Sequence, residues 1–250
     1  MDNKTIFTGK SAYYAASRQS YAPEAIAQLF SELIAPGEAA ADIGSGTGIL
    51  SSEFIKRGYD VFCVEPNAEM RAEAEGRYGG NVSFHSVPAS AEHTGLPEHC
   101  VSLVTAASAF HWFDAAAFRT ECQRILKPDG IVCILANKRE YDAFTVAQHT
   151  LCCQYCAGYI SLSHGIEKVY SRAAAFFDGV YRVRRFPFPL QYTKEKFIAR
   201  SLSSSYAPKQ GSSAYDAYVQ SLAQLVDKFF PEGVIRIANS TVMLWGKCGK

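Results

Sequence analysis

Apolar positions along the chain change period several times, and each change marks an element. From Pro23 to Ile34, Ile26, Leu29, Phe30 and Leu33 recur at helical spacing, with proline in the first turn and Ala35-Pro36-Gly37 as the stop. Ala39-Ala40-Ala41 then runs through Asp42 and Ile43 into Gly44, Gly46 and Gly48, and apolar character resumes at Ile49, Leu50 and Phe54. That pattern predicts a strand, a tight turn and an opening helix. Tyr59 to Glu65 predicts a second strand closed by a carboxylate, Ala68 to Tyr78 a helix ended by Gly79-Gly80, and Asn81 to Val87 a third strand. A fourth strand is expected over Val101 to Ala106, then a helix from Ala115 to Leu126 capped by Asp114. Lys127-Pro128-Asp129-Gly130 turns the chain into a fifth strand, Ile131 to Ala136.

Alternation of strand and helix from 39 to 137 implies a parallel sheet. Beyond it the rhythm changes. Residues 140 to 178 are helical in pattern, Gly179 to Pro187 reads as a strand and Lys194 to Leu202 as a short helix. Ser203 to Pro208 forms a polar break, and Tyr215, Tyr218, Val219, Leu222, Val226 and Phe229 mark one face of a last helix. Val234 to Ile237 and Ser240 to Trp245 predict a hairpin or a bent terminal strand.

The glycine turn carries the first chemical signal, because glycines let a ligand lie against bare backbone. A dinucleotide fingerprint would need its third glycine at Ile49, and no Gly-Lys-Ser or Gly-Lys-Thr follows these glycines to make a P-loop. Glu65 ends the next strand about twenty residues on, where a ribose would present its hydroxyls. Composition narrows the class further. The chain has 250 residues, 48% apolar and 20% charged, with a formal net charge of +1. It can bury a full core, and it offers no general attraction to nucleic acid or an anionic membrane. With no membrane-length apolar run and no signal-peptide core, a cytoplasmic protein is expected, as monomer or homodimer. Eight cysteines are scattered along the chain. Cys152, Cys153 and Cys156 cluster, but without a second pair at zinc-site spacing they read as packing residues. Arg182, Arg184 and Arg185 suit a solvated strand face or a substrate carboxylate.

Asp42-x-Gly44-x-Gly46-x-Gly48 resembles the first motif of the class I S-adenosylmethionine-dependent methyltransferases, and the core is similar to the methyltransferase type 11 family. Phe7-Thr8-Gly9 with Tyr14, Arg18 and Tyr21, then Ala109 to Asp114, then Ser203 to Pro208 resemble a subgroup that includes trans-aconitate methyltransferase-like enzymes. The sequence departs from that subgroup at Gln19, Ala22 and Ser108. The resemblance implies an α/β fold, a Rossmann-like seven-stranded mostly parallel sheet with helices on both faces and a helical cap from C-terminal insertions. It implies one domain over residues 1–250, with 1–22 as a lid segment, 23–137 as the cofactor-binding core and 138–250 as cap helices and last strands.

The same resemblance implies S-adenosylmethionine as cofactor and a small-molecule acceptor. Asp42 would hold the methionyl amino group, directly or through water, and Gly44, Ser45 and Gly46 would admit the methionine portion. Glu65 with Pro66 would take the ribose, Met70 would press on the adenine, and Ser90, Ala91 and Glu92 would read its edge. Tyr14, Arg18 and Ala107 complete the expected cofactor contacts. Ser108, Phe110, Trp112 and Tyr206 are expected to face the acceptor, and His111 is the candidate proton acceptor. No Asn-Pro-Pro-Tyr or Asp-Pro-Pro-Tyr follows the fourth strand, which argues against the planar amines of nucleobases or glutamine. The expected reaction is O-methylation of a carboxylate or hydroxyl. The other readings are ester formation on an acyl-carrier-bound acid, arsenite methylation, and a regulator that binds the nucleoside without turnover.

Overall fold

The structure, a computed structural model, describes residues 20–162 and 164–249. Tyr14, Arg18 and the Phe7-Thr8-Gly9 segment therefore lie outside the described residues. Seven strands form the main sheet in the order β3 (Phe84–Val87), β2 (Val61–Val64), β1 (Ala40–Ile43), β4 (Val101–Ala107), β5 (Leu126–Arg139), β9 (Asn239–Gly246) and β6 (Arg182–Pro187). The first five run parallel, while β9 is antiparallel to both β5 and β6. Strand order reverses between β1 and β4, so a crevice opens beyond their carboxyl ends, the usual ligand position in open α/β sheets.

Period-two alternation sends the strands' side chains to two cores. Val104, Ala106, Val132, Ile134, Val242 and Leu244 pack under α4 (Ala115–Ile125) and α6 (His164–Phe176). On the opposite face Leu103, Cys133, Leu135, Met243 and Trp245 meet α1 (Pro23–Gln28, continuing as a π turn over Leu29–Leu33) and α2 (Ser51–Ile55). A third core, with Phe144, Phe197, Tyr218 and Leu222 at its centre, joins α5 (Ala143–Tyr155), α7 (Lys194–Leu202) and α8 (Tyr215–Phe229). These helices follow the carboxyl end of β5 and make up the expected cap. Helix α3 (Ala68–Tyr78) has the predicted bounds, with Asn67 accepting from the Met70 N–H at its start.

Several expectations change. Strand β5 begins at Leu126 and runs on to Arg139, because Lys127–Gly130 is an excursion within it: the partner of Val101 is Leu126, and that of Leu103 is Ile131. The terminal segment makes neither a hairpin nor one bent strand. Instead β8 (Ile235–Ile237) pairs with β7 (Leu190–Tyr192) in a separate two-stranded sheet, and after Ala238 the chain enters the main sheet as β9. Ser203 and Ser204, within the expected polar break, are buried. Cys152 and Cys156 are buried as expected, whereas Cys153 is exposed. Among the described residues no helix is long and apolar enough to cross a membrane.

Candidate functional site

The turn after β1 is clipped to the end of β2: the Gly44 and Ser45 N–H groups both donate to the Val64 carbonyl, at 2.8 and 3.1 Å. Gly44, Gly46 and Gly48 all have positive φ, 67°, 57° and 79°. Their surroundings differ. A Cβ on Gly44 would stand 2.6 Å from the Ala109 Cβ and 3.1 Å from the Phe113 ring, so the loop after β4 lies directly on this glycine. A Cβ on Gly46 would meet nothing within 4 Å. The turn thus presents bare backbone to open space at Gly46. Beside it, the Ser45 and Thr47 hydroxyls are buried with no hydrogen-bond partner among the described residues.

Glu65 closes the crevice from the β2 side. Its Oε2 accepts from the Gly46 N–H at 3.0 Å and its Oε1 from the Asn67 N–H at 2.8 Å. Burial pushes the carboxyl pKa up, while the Asn67 and Gly46 amides and the Arg71 guanidinium favour the charged form. A turn that leaves its backbone uncovered, orphaned hydroxyls beside it and an acid tied to it within 3.0 Å suit the hydroxyls and amino-acid portion of an adenosyl sulfonium.

Asp42 sits behind this surface. It is buried, in register with Thr105 on β4, and its Oδ1 accepts from the Thr105 hydroxyl at 2.9 Å while Oδ2 accepts from the Ser51 hydroxyl at 2.7 Å. These bonds tie β1, β4 and α2 together. Thr105, a buried polar residue within β4, was the available signal for this role. Desolvation raises the Asp42 pKa from 3.8 to about 6, against the two hydroxyl bonds that lower it. Between those values the folded protein binds more protons than the unfolded chain, so stability falls as pH rises from about 4 to 6. The loss is complete above that and amounts to at most about 3 kcal/mol. Asp42→Asn should remove this contribution, so that between pH 5 and pH 7.5 its urea midpoint drops less than that of the wild type.

The other expected residues divide between surface and interior. Pro66 is half-buried beside Glu65; Met70 is buried in the first turn of α3, outside the three main cores. Ser90 is half-buried and accepts from the His93 N–H through its carbonyl, and the Glu92 Oε1 accepts from the Asp114 N–H at 3.0 Å, linking the loops after β3 and β4. The Ala91 side chain packs in the core with Ile43 and Val64.

At the end of β4, Ala107 is half-buried and Ser108 takes a left-handed conformation, φ 57°, with its Oγ hydrogen-bonded to the Tyr21 hydroxyl at 3.1 Å. Such a non-glycine residue costs about 1–3 kcal/mol, and strain of this kind gathers at functional sites. Phe110 corrects an expectation: it is wholly buried against Phe113, Phe118 and Phe176, because the 3-10 turn Phe110–Trp112 directs its first ring inward. His111 and Trp112 are half-buried, their rings 4.7 Å apart. Tyr206 is half-buried in the cap, edge-on to Tyr159 at 4.9 Å. The arginines of β6 lie on an exposed edge, where Arg184 donates to Gln28 and Arg185 pairs with Glu140. They form no part of the crevice.

Comparison with known proteins agrees with this geometry. Residues 41–134 match the family model described as a methyltransferase domain. An uncharacterized methyltransferase of Mycobacterium tuberculosis is 35% identical over 127 residues, 51% of this chain and 50% of that protein. A ubiquinone biosynthesis O-methyltransferase of a Bradyrhizobium strain is 28% identical over 107 residues, 42% of each. The chain thus spans about half the length, or less, of these curated relatives. Among solved structures, a protein of Anaeromyxobacter dehalogenans provisionally assigned as a type II methyltransferase superposes with a TM-score of 0.66 at 18% identity, covering 92% of this chain and 98% of that one. The matched stretch, residues 41–134, contains the glycine turn, Glu65 and the loop after β4.

Proposed function

We propose that the protein is an S-adenosylmethionine-dependent methyltransferase acting on a small-molecule acceptor at a carboxylate or hydroxyl oxygen. The observation that carries this reading is the bond from the Gly46 N–H to Glu65, which brings the stripped turn and the strand-end acid into one site. When bound, the cofactor supplies a methyl group already activated by its sulfonium, so the protein's work is alignment and exclusion of water. Gly46 would give the methionine portion its room, Gly44 lets the loop after β4 close over the turn, and Glu65 would accept from the ribose hydroxyls. Ser108, His111 and Trp112, just beyond the carboxyl end of β4, would face the acceptor. A carboxylate or phenolate needs no base. For a neutral hydroxyl, His111 accepts the proton.

The relatedness to ubiquinone biosynthesis O-methyltransferases favours oxygen as the methylated atom. The trans-aconitate-like features of Ala109 to Asp114 favour a small acid. The test is incubation with methyl-labelled cofactor and a panel of acids and phenols. The wild type should label at least one member, and His111→Ala should lower turnover on a neutral hydroxyl by about 10²-fold with cofactor affinity retained. Unchanged turnover removes His111 from the mechanism. Cofactor binding without product across the panel overturns the enzymatic reading in favour of a regulator.

A further inference from the structure

Beyond the crevice, the cap encloses a second concentration of charge that the reading above does not use. Arg139, the last residue of β5, lies at the same end of the sheet as the glycine turn and Ser108, yet its side chain is turned into the cap and the residue is only 8% exposed. One guanidinium nitrogen, Nη1, donates to the Gln148 side chain of α5, and the group lies 6.0 Å from the centre of the Phe197 ring on α7. Gln148 is neutral, so it satisfies a donor without balancing the charge.

Arg200, on α7, adds a second guanidinium close enough to act on the first. Burial, and next Arg200, oppose the charge on Arg139 and hold its pKa below the ordinary arginine value. Neither arginine forms an ion pair among the described residues. The acids nearby are engaged elsewhere: Asp142 accepts from the Thr145 N–H at the start of α5, and Glu140 accepts from Ser240 and pairs with Arg185. Of the residues outside the described ranges, only Asp2 has an acidic side chain. Tyr192, on β7, is an independent sign of an absent acceptor. It is 4% exposed, lies within electrostatic reach of Arg139, and its hydroxyl is buried with no hydrogen-bond partner among the described residues.

The Phe197 ring brings these groups together: the Arg139 guanidinium lies 6.0 Å and the Tyr192 ring 6.3 Å from its centre, and Arg200 follows Phe197 by one helical turn, leaving guanidinium donors and a phenol O–H to spare. Buried cations are normally paired, and a planar fork of N–H donors suits a carboxylate bidentately. We propose that Arg139, Arg200 and Tyr192 form an anion subsite in the cap that holds a carboxylate of the acceptor as an anchoring handle. The proposal rests on the methyltransferase reading for the word acceptor, though the anion site itself is independently testable. Ala107 pairs with Leu135, four residues before Arg139, so the subsite's strand position is roughly 13 Å farther out along β5.

The experiment uses the full chain with S-adenosylhomocysteine present and titrates benzoate, succinate and inorganic phosphate, with benzamide as the neutral match. Thermal shift and calorimetry are the readouts. At least one carboxylate should stabilise the wild type where benzamide does not. Arg200→Gln should weaken that binding about tenfold or more, and Tyr192→Phe, which removes only an unpaired hydroxyl, about threefold or more. Both variants should keep the wild-type affinity for S-adenosylhomocysteine. Equal response to benzoate, succinate and benzamide, or variants that bind carboxylate as the wild type does, overturns the subsite. Phosphate bound in preference to either carboxylate overturns the carboxylate assignment. A wild type that ignores S-adenosylhomocysteine but binds a carboxylate through these residues refutes the methyltransferase reading while upholding the anion site.

Discussion

Glu65→Ala is expected to lower the affinity for S-adenosylmethionine by about 10²- to 10⁴-fold, measured by calorimetry. The estimate takes two charge-assisted hydrogen bonds to the ribose at about 1.5–3 kcal/mol each. The loss extends to the site itself, because the carboxylate also holds the Gly46 and Asn67 N–H groups and so ties the turn to the end of β2. Glu65→Gln keeps the shape and one good acceptor and should fall between the wild type and alanine. An alanine variant within about threefold of wild-type affinity would mean that the ribose lies elsewhere, and the proposed activity would lose its central support.

Gly44→Val should destabilise the fold by about 2–6 kcal/mol in urea or thermal unfolding. A branched residue at φ 67° carries strain of about 1–3 kcal/mol, and displacing the loop after β4 adds overpacking of similar size. There is no slack to absorb the change, since the added carbon would meet Ala109 at 2.6 Å and Phe113 at 3.1 Å. Gly46→Ala separates folding from binding. Its Cβ enters open space, so it should lose about 1 kcal/mol through backbone strain alone, yet it should bind cofactor poorly. If Gly46→Ala binds S-adenosylmethionine as the wild type does, the bare turn is a folding device only.

Much of the sheet was legible because its information is local. Asp114 announces the cap of α4, Gly79 follows the end of α3, and the apolar runs of β2 and β4 give their own positions. The pairing of Glu65 with the glycine turn was legible too, since both stand at the carboxyl ends of adjacent parallel strands. What remained hidden depends on contacts far apart in sequence. Phe110 gives no sign in its own neighbourhood that Phe176, on a helix from the second half of the chain, covers it. Arg139 lies beyond the last apolar residue of its strand, and only the approach of α5 and α7 turns it from a strand-end charge into a buried one. The switch of sheets at Ala238 is likewise set by β7, a three-residue strand too short to show alternation.

The outer edge of the sheet has a consequence for behaviour in concentrated solution. Among the described residues no strand pairs with the outer side of β6, and Arg182, Arg184 and Arg185 are all exposed along it, with Pro187 at its end. A foreign segment that tried to extend the sheet there would have to align its peptide groups beside exposed arginine side chains and a residue that donates no N–H. This border resists fibril growth, and neutralising its arginines would turn the flank into a template for self-association.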